Sequence, residues 1–373
     1  MWKVYYFVVK SCKNVLFFVY FCSMKKIVRV LFLLLNILAV VLLLLSSMSS
    51  FVPPSKSAYI SLLSYGYFYF LLLNILFLLV WLFFRRKEFL ISLAAILLRF
   101  SFIPLFVQFG GTQDLADAEQ YDKENATVVR LLSFNTHGFH GPNDSLQADS
   151  GARKFVRFVR EYHPDVMCLQ EFFPPAQVKV IDSLEHLGYK YHRRTSGSVI
   201  FSRFPFDFVG ETGSSTKLLV DIAVNSRIFR LFCVHLTSYQ MAGSDAETLE
   251  RLVHGTVDSA TELTAKKLVH AERMHESEWN EVLLPQIKES PHPVVVAGDF
   301  NDPPSSHLYQ QTRKLLKDSF VEEGSGFGTT YHGPFPAFRI DYVLHSDTIK
   351  TLTYNRIKSD ISDHYPLVVD LML

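Results

Sequence analysis

The sequence predicts an α/β sandwich of two packed β-sheets covered by helices, preceded by N-terminal transmembrane helices. Two observations support this prediction. Residues 1–112 contain long apolar runs with 11 Lys or Arg and one acid, a net charge of +10, whereas residues 113–373 contain 26 Lys or Arg and 35 acids, a net charge of −9. The second part alternates short, apolar, strand-like runs with helical patterns. The overall charge of +1 is therefore a cancellation between two different parts.

The membrane region is predicted at residues 24–109, with three transmembrane helices at about 27–46, 62–84 and 89–107. Each run approaches the roughly 20 apolar residues that a helix needs to cross a bilayer. The third run is the weakest because it contains Arg99 and Pro104. A charged side chain in lipid is costly unless it reaches water or protein. An interfacial helix is the alternative for this run.

Basic residues predict the orientation. Lys25, Lys26 and Arg29 precede the first run, and residues 85–87 (RRK) separate the second from the third. The positive-inside rule places both clusters in the cytoplasm. Three spans then make the chain a multi-pass protein of the inner or plasma membrane, with residues 113–373 on the non-cytoplasmic side. If the third run does not span, those residues are cytoplasmic.

The first 23 residues are either a misassigned start or an extra apolar segment, and we expect translation to begin at Met24. The polar, acidic stretch 110–126 is predicted to be a linker. Four cysteines are too few for a disulfide framework. Cys168 and Cys233 each lie in an apolar run and are expected to be small buried side chains, with a disulfide between them as an open alternative.

In the second part, apolar runs predict strands and amphipathic patterns predict helices. Strands are predicted at 128–134, 165–169, 189–192, 197–201, 218–224, 228–234, 294–298, 339–344, 350–357 and 365–371, and helices at 152–162, 177–186, within 246–290 and at 306–317. A Gly-rich loop is predicted at 323–328.

Polar residues stand at or just beyond the ends of these strands, most clearly in the stretch 294–304, VVVAGDFNDPP. The set comprises Asn135, Glu171, His235, Asp299, Asn301, Asp363 and His364, together with Asp341, which lies within the short strand 339–344. Because successive strand ends gather along one rim of a sheet, these residues are predicted to share one site. Each has a structural alternative when taken alone, such as a turn cap, a helix-terminal charge or a satisfied core histidine.

The residue types suit phosphate ester hydrolysis. Glu171 and Asp363 are hard oxygen ligands for Mg²⁺ or Mn²⁺, and Asn135 would add a neutral oxygen or hold the attacking water. Such an ion polarises a phosphoryl oxygen and offsets transition-state charge.

The remaining polar residues are assigned to the substrate and the water. His364 is predicted to be a general base or a charged partner of the phosphate, with Asp341 orienting its ring. Asp299 would align or deprotonate the water, and Asn301 and His235 would donate to phosphate oxygens.

The segments LLSFNTHG, DVMCLQEFF, GSVIFSRFPF, RLFCVHLTS, VVVAGDFNDPPSS, RIDYVL and SDHYPLV resemble, in this order, the endonuclease/exonuclease/phosphatase superfamily of DNase I-like, metal-dependent phosphoesterases. The resemblance covers residues 127–373, implies a four-layer α/β sandwich and a magnesium cofactor, and implies the same roles for the residues above. One departure concerns His235: DNase-like members pair this histidine with an upstream glutamate, and residues 189–195 contain no acid.

Charge and membrane attachment bear on the substrate. An acidic catalytic part disfavours tight non-specific binding to nucleic acid, which depends on basic surface. We therefore expect a membrane-anchored phosphoesterase acting on a lipid headgroup or small-molecule phosphodiester or phosphomonoester. A membrane-tethered endonuclease or exonuclease is the first alternative, and an inactive binding module is the second. The bilayer and the phosphoester are the expected partners, and no segment suggests a protein partner.

Overall fold

The computed structural model describes residues 26–110, 127–173, 177–211, 217–239, 259–333 and 338–373. The chain divides into two compact units. The helical unit contains residues up to Ser47 together with Gly66–Phe100. The second unit contains Met48–Tyr65 and Ser101–Leu373, and it is named the catalytic unit after the activity expected from the sequence. The predicted start at Met24 and residues 111–126 of the predicted linker lie outside the described residues.

The helices are α1 (Lys26–Met48), α2 (Pro54–Leu62), α3 (Tyr67–Phe83), α4 (Phe89–Leu98), α5 (Ala148–Tyr162), α6 (Gln177–His186), α7 (Ser259–Ser277), α8 (Leu284–Lys288), α9 (His307–Thr312) and α10 (Ser319–Glu323). The strands are β1 (Val107–Phe109), β2 (Val128–Asn135), β3 (Val166–Gln170), β4 (Tyr191–Arg194), β5 (Ser198–Ser202), β6 (Phe206–Glu211), β7 (Leu218–Val224), β8 (Arg227–His235), β9 (Val294–Asp299), β10 (Lys317–Asp318), β11 (Ser325–Phe327), β12 (Asp341–His345), β13 (Lys350–Arg356) and β14 (Leu367–Met372).

Two helical stretches of the described chain are long and apolar enough to cross a membrane. They are Lys26–Met48, with 23 residues, and Pro54–Phe83, with 30. Within the helical unit, Asn36 joins the helices through hydrogen bonds, donating to Ser92 Oγ at 2.7 Å and accepting from Trp81 Nε1 at 2.9 Å. Buried polar groups in apolar surroundings are stable only when paired in this way.

The third predicted span, 89–107, is not one continuous helix. Its α-helix, α4, has ten residues. At 1.5 Å per residue it rises about 15 Å, half of a hydrocarbon core of about 30 Å. A 3₁₀ segment, Phe100–Leu105, follows and contains Pro104. Proline lacks the N–H of an α-helix and disfavours helical backbone before it, which accounts for the break.

The second predicted span, 62–84, overlaps the helical stretch Pro54–Phe83, along which the chain passes from one unit to the other. Residues 54–65 belong to the catalytic unit, and α3 of the helical unit begins at Tyr67. A short 3₁₀ turn, Leu63–Gly66, separates α2 from α3. The sequence is apolar throughout this stretch, so composition alone does not show where the two units meet.

The catalytic unit contains the predicted pair of sheets. One has the order β10-β12-β9-β8-β7-β6 and the other β13-β14-β2-β3-β5-β4. Each is mixed, with one parallel pair: β8 with β9, and β2 with β3. Every predicted strand is present with its ends within two residues, and the sequence missed β6 and the two-residue β10 of the first sheet. The prediction of an α/β sandwich is therefore confirmed.

Side-chain alternation explains the layers. In β2, Val129 and Leu131 belong to a core formed by strands of both sheets, whereas Leu132 and Phe134 pack with residues of α5 and α6. A strand covered on both faces reads as a continuous apolar run. Cys168 and Cys233 are both buried free thiols, so they are not joined by a disulfide and act as small core side chains.

The Gly-rich stretch 323–328 is not only a loop. Its residues Ser325–Phe327 form β11, which pairs antiparallel with β1 directly after the apolar N-terminal region. Gly326 in this ribbon has a left-handed φ of +64°. Neither strand has the length or alternation that would have identified it from sequence.

Candidate active site

The predicted site residues lie at one rim of the sandwich. In the first sheet, His235 pairs with Asp299 across the parallel strands β8 and β9, and Asp341 pairs with Asp299 across the antiparallel strands β12 and β9. These three side chains therefore stand in one row at adjacent strand ends. Successive strand ends bring together residues more than 100 positions apart.

Gly298 makes this row possible. Its φ is +145°, and an added Cβ would lie 1.9 Å from the carbonyl oxygen of Val234 on β8. Only glycine allows the backbones of β8 and β9 to approach this closely in that conformation. Asp299 is delivered to the rim immediately after this contact.

His364 and Asp341 form a hydrogen-bonded pair. The His364 Nδ1–H donates to Asp341 Oδ2 at 2.8 Å, and His364 Nε2 lies 3.8 Å from Asp299 Oδ2. Burial opposes the charged imidazolium, but the carboxylates of Asp341 and Asp299 outweigh it and raise the pKa of His364 to about 10. This arrangement fixes the ring tautomer and directs Nε2 towards Asp299.

Asp299 is a buried carboxylate whose pKa is raised to about 6, first by burial and then by the charge of Asp341. Its Oδ1 accepts from the main-chain N–H of Asn301 at 2.8 Å. Its Oδ2 accepts from Asn135 Nδ2 at 2.9 Å. The Asn135 contact joins the rims of the two sheets.

Glu171 and Asp363 lie on the second sheet's side of the rim. Both carboxylates approach His137 Nδ1, Glu171 Oε2 at 3.5 Å and Asp363 Oδ1 at 3.8 Å. Burial raises the pKa of Glu171, but His137, His235 and Asn135 together lower it to about 2. Glu171, which accepts from His137, raises the pKa of His137 to about 9. The two carboxyl groups therefore lie within reach of one cation.

The oxygen donors of this pair fit a hard divalent cation. Glu171 and Asp363 keep 25% and 13% of their side-chain surfaces exposed, so an ion has access to both. Asn135 also donates to Glu171 Oε1 at 3.1 Å, and its Oδ1 accepts from His137 N–H at 3.1 Å. Carboxylate and amide oxygens are the ligands that Mg²⁺ prefers.

A second group could also hold a metal ion. One ligand atom each of Asp299, Asp341 and His364 lies within 4.8 Å of the others, and all three residues are buried. However, the 2.8 Å contact within this group is a histidine–carboxylate hydrogen bond of the kind that orients catalytic histidines. A hydrogen-bonded dyad is therefore the better interpretation of this group.

His235 and Asn301 complete the rim. His235 Nε2 lies 3.6 Å from Glu171 Oε1 and 3.8 Å from Asp299 Oδ2, so these two acids accompany it although residues 189–195 contain none. Asn301 has a left-handed φ of +50°, and its Nδ2 donates to Leu236 O at 3.2 Å. Left-handed backbone at a non-glycine residue is strained and concentrates at functional sites.

Asp302, which follows Asn301 in the stretch 294–304, has a buried partner outside the rim. It is 2% exposed, and its Oδ2 lies 3.6 Å from His275 Nδ1 on α7. This partner is far away in the sequence, so nothing local could have identified it.

Three further residues were missed at the sequence level. His137 contacts both acids, as described above. Ser362 Oγ donates to Asn135 O at 2.8 Å and accepts from His364 N–H at 3.1 Å. Thr330 Oγ1 accepts from the N–H groups of Ile340 and Asp341, both at 3.0 Å. Only His137, two positions after Asn135, had a usable sequence signal.

The comparisons with solved structures give distant similarities. An endonuclease/exonuclease/phosphatase from Beutenbergia cavernae is 18% identical, with 66% of this chain and 72% of that chain covered and a TM-score of 0.45. One from Bacteroides vulgatus is 16% identical, with 66% and 99% covered and a TM-score of 0.48. ANGEL2, a 2′,3′-cyclic phosphatase, is 15% identical, with 67% and 96% covered and a TM-score of 0.48.

The comparison with family models gives two matches. Residues 25–106 match a domain of unknown function (DUF8431). No curated protein matches the chain. The model of the endonuclease/exonuclease/phosphatase family matches residues 132–364, which is more than half of the chain and contains every site residue described above. The chain therefore belongs to the endonuclease/exonuclease/phosphatase family, whose members are hydrolases of phosphoesters.

Proposed function

We propose that this protein is a membrane-anchored, divalent-metal-dependent phosphoesterase that hydrolyses the phosphodiester or phosphomonoester of a lipid headgroup or small molecule. The observation that carries this proposal is the rim itself. A histidine–carboxylate pair at 2.8 Å stands beside a buried Asp299, and two carboxyl groups converge on one point nearby.

The proposed cation ligands are Glu171, Asp363 and Asn135. Asn135 Oδ1 accepts one hydrogen bond, from the His137 N–H, and its second lone pair would bind the cation. A bound Mg²⁺ or Mn²⁺ would offset the charge that develops on the phosphoryl oxygens. Removing the ion with EDTA should abolish hydrolysis, and full activity in excess chelator would contradict this assignment.

The other rim residues act on the water and the phosphate. Asp299 aligns the attacking water and accepts its proton. His364, held by Asp341, faces the same point and stabilises the negative charge of the phosphate. Asn301 and His235 donate to the remaining phosphate oxygens. Protein dipoles and charges that are already oriented need no reorganisation during the reaction, which is why such sites are effective.

The membrane orientation is also a proposal. Arg29 and Glu88 form an ion pair, which brings the basic start of α1 and the RRK segment to the same end of the helical unit. The proposed third span is residues 89–107, where α4 and the 3₁₀ segment Phe100–Leu105 together rise about 27 Å. With three spans, the positive-inside rule places residues 113–373 on the non-cytoplasmic side.

Exposed aromatic side chains support a position at the lipid surface. Phe51 is 66% exposed, Phe109 91% and Phe327 57%. Phe51 follows α1, and Phe109 and Phe327 lie on the β1–β11 ribbon that follows the apolar N-terminal region. Aromatic residues are favoured at the membrane–water interface. The net charge of −9 in residues 113–373 argues against nucleic acid as the main substrate.

The substrate class is tested with the full-length protein in detergent micelles and Mg²⁺. The panel comprises phosphatidylinositol phosphates, sphingomyelin, sugar phosphates and plasmid DNA. We expect cleavage of a lipid or small-molecule phosphoester, and cleavage of the plasmid alone would establish the nuclease alternative. His364→Ala should abolish the activity. The control His186→Ala removes an exposed histidine of α6 and should not alter it.

The orientation requires a separate measurement. Protease added to cells with a permeabilised outer layer should cleave the catalytic unit. Protection of that unit, with cleavage only after the membrane is dissolved, would reverse the proposed topology.

A further inference from the structure

The connection between α1 and α3 is folded into the catalytic unit. Ser49 Oγ donates to Ser305 O at 2.8 Å, and Ser305 Oγ donates to Ser64 O at 2.7 Å. Ser55 donates to Glu276 of α7 through its main-chain N–H at 2.6 Å and its hydroxyl at 2.9 Å. The segment 48–65 is therefore held at both ends against the loop that follows Asp299.

Tyr65, the last residue of this segment, reaches the site directly. Its hydroxyl hydrogen-bonds to the main-chain carbonyl oxygen of Asn301 and to the hydroxyl of Tyr239 at 2.7 Å. Its ring packs edge-on against Tyr239 and Phe338, with centroid distances of 5.6 and 5.2 Å. Asn301 has a left-handed backbone, which is strained. The hydrogen bond from Tyr65 to its carbonyl oxygen fixes the orientation of the peptide that follows it.

The chain of hydrogen bonds continues to a buried acid on α7. Tyr239 Oη lies 2.6 Å from Glu272 Oε1, and the other oxygen of Glu272 accepts from Ser61 Oγ. Four oxygens thus stand in line: Asn301 O, Tyr65 Oη, Tyr239 Oη and Glu272 Oε1. Three contacts join them.

Counting protons gives the state of the acid. Each of the three contacts needs one hydrogen, and the carbonyl has none. The two tyrosine hydroxyls supply two, so the third must be carried by Glu272. Glu272 then donates to Tyr239, Tyr239 to Tyr65, and Tyr65 to Asn301 O. If Glu272 were ionised, one contact would place two oxygens face to face without a hydrogen.

We propose that Tyr65 is a positioning residue for the reaction at this rim, and that a protonated Glu272 orients it through Tyr239. This inference rests on the proposed function. The segment 48–65 between α1 and α3 therefore contributes to the active site, although it lies outside residues 132–364, which match the family model.

The surroundings of Glu272 agree with a protonated acid. Burial and the charge of Asp302 raise the pKa of Glu272, His275 opposes both, and the result is a pKa of about 7. Glu272 itself is fully buried. The groups that face it are His275 of its own helix, Asp302 of the site loop, Tyr239, and Ser61 of α2.

The test uses the full-length protein and a chromogenic phosphodiester. Tyr65→Phe keeps the ring and removes the hydroxyl, so kcat should fall by about tenfold with KM changed less than about twofold, as expected for a small misplacement of a site residue. Tyr59→Phe, at an exposed tyrosine of the same segment, is the matched control and should retain wild-type kcat. A Tyr65→Phe variant with wild-type kcat would refute the proposal.

The pH profile separates positioning from a general structural role. Wild-type kcat should fall as Glu272 loses its proton above neutral pH. Glu272→Gln supplies an N–H donor for Tyr239 at every pH and still accepts from Ser61, so it should keep kcat at neutral pH and remove this alkaline decrease. The same decrease in Glu272→Gln as in wild type would contradict the role of the proton.

Infrared spectroscopy tests the chain without turnover. Wild-type protein at neutral pH should show a protonated-carboxyl C=O band that is missing in Glu272→Gln. Identical spectra would refute a protonated Glu272 even if no substrate were cleaved. A wild-type protein that shows the band and hydrolyses nothing would refute the proposed function instead.

Discussion

Replacing Gly298 by alanine should disable the site while leaving its residues chemically intact. The added Cβ would lie 1.9 Å from Val234 O, whereas ordinary contact begins at 3.4 Å, so β8 and β9 would have to separate locally by about 1.5 Å. The φ of +145° adds backbone strain of about 1–3 kcal/mol for a residue with a side chain. His235 and Asp299 are the next residue pair along these strands.

The expected loss of activity follows from this displacement. A misplacement of about 1 Å at a catalytic group can lower a rate about a hundredfold. We therefore expect the kcat of Gly298→Ala to fall by at least about a hundredfold. The assay is hydrolysis of a chromogenic phosphodiester by the full-length protein in detergent, with the melting temperature measured in parallel to confirm that the variant is folded.

Two glycines serve as controls. Gly326 has a positive φ of +64° but no atom within 4 Å of an added Cβ, so Gly326→Ala introduces strain without a clash. Gly210 has neither the positive φ nor a near neighbour. Both alanine variants should retain kcat within about threefold, a change of less than 1 kcal/mol. A folded Gly298→Ala variant with the same kcat as these controls would refute the argument that close strand approach aligns the site.

Three further predictions concern individual contacts. Asp341→Asn should lower kcat by about 10²–10⁴ with a smaller effect on KM, because the His364 ring loses its charged partner; wild-type kcat would contradict the dyad. Asp318→Ala should lower the free energy of unfolding by about 3–5 kcal/mol, because it leaves the buried Arg339 without its carboxylate partner. Denaturant titration measures this change. The control Asp347→Ala removes an exposed acid and should have little effect. Burial raises the pKa of Glu322, but the hydrogen bond with His345 outweighs it and lowers the pKa from 4.5 to about 2. This contact therefore stabilises the fold above pH 4.5, and the stabilisation is lost as the pH falls towards 2. Glu322→Gln should therefore show a smaller drop in denaturant midpoint between pH 5 and pH 3 than wild type, and equal drops would contradict the assignment.

The membrane region shows where sequence interpretation reaches its limit. Hydropathy identified the apolar runs, because lipid and protein interiors both require apolar side chains. It did not show that residues 48–65 join the catalytic unit, since Ser49, Ser55 and Tyr65 look like ordinary polar residues between two spans. Their partners lie more than 170 positions away.

By itself, the sequence determined the two packed sheets, the positions of ten strands and the placement of the eight polar residues at the strand ends. These features depend on local periodicity and on polar side chains at strand ends, and both can be recognised within a few consecutive residues. Only the tertiary structure decided which atoms meet. It brought His137 between Glu171 and Asp363, set Gly298 against Val234, and joined Tyr65 to Asn301. Such contacts depend on strand register and on packing between distant segments, and residue type alone does not specify either of them.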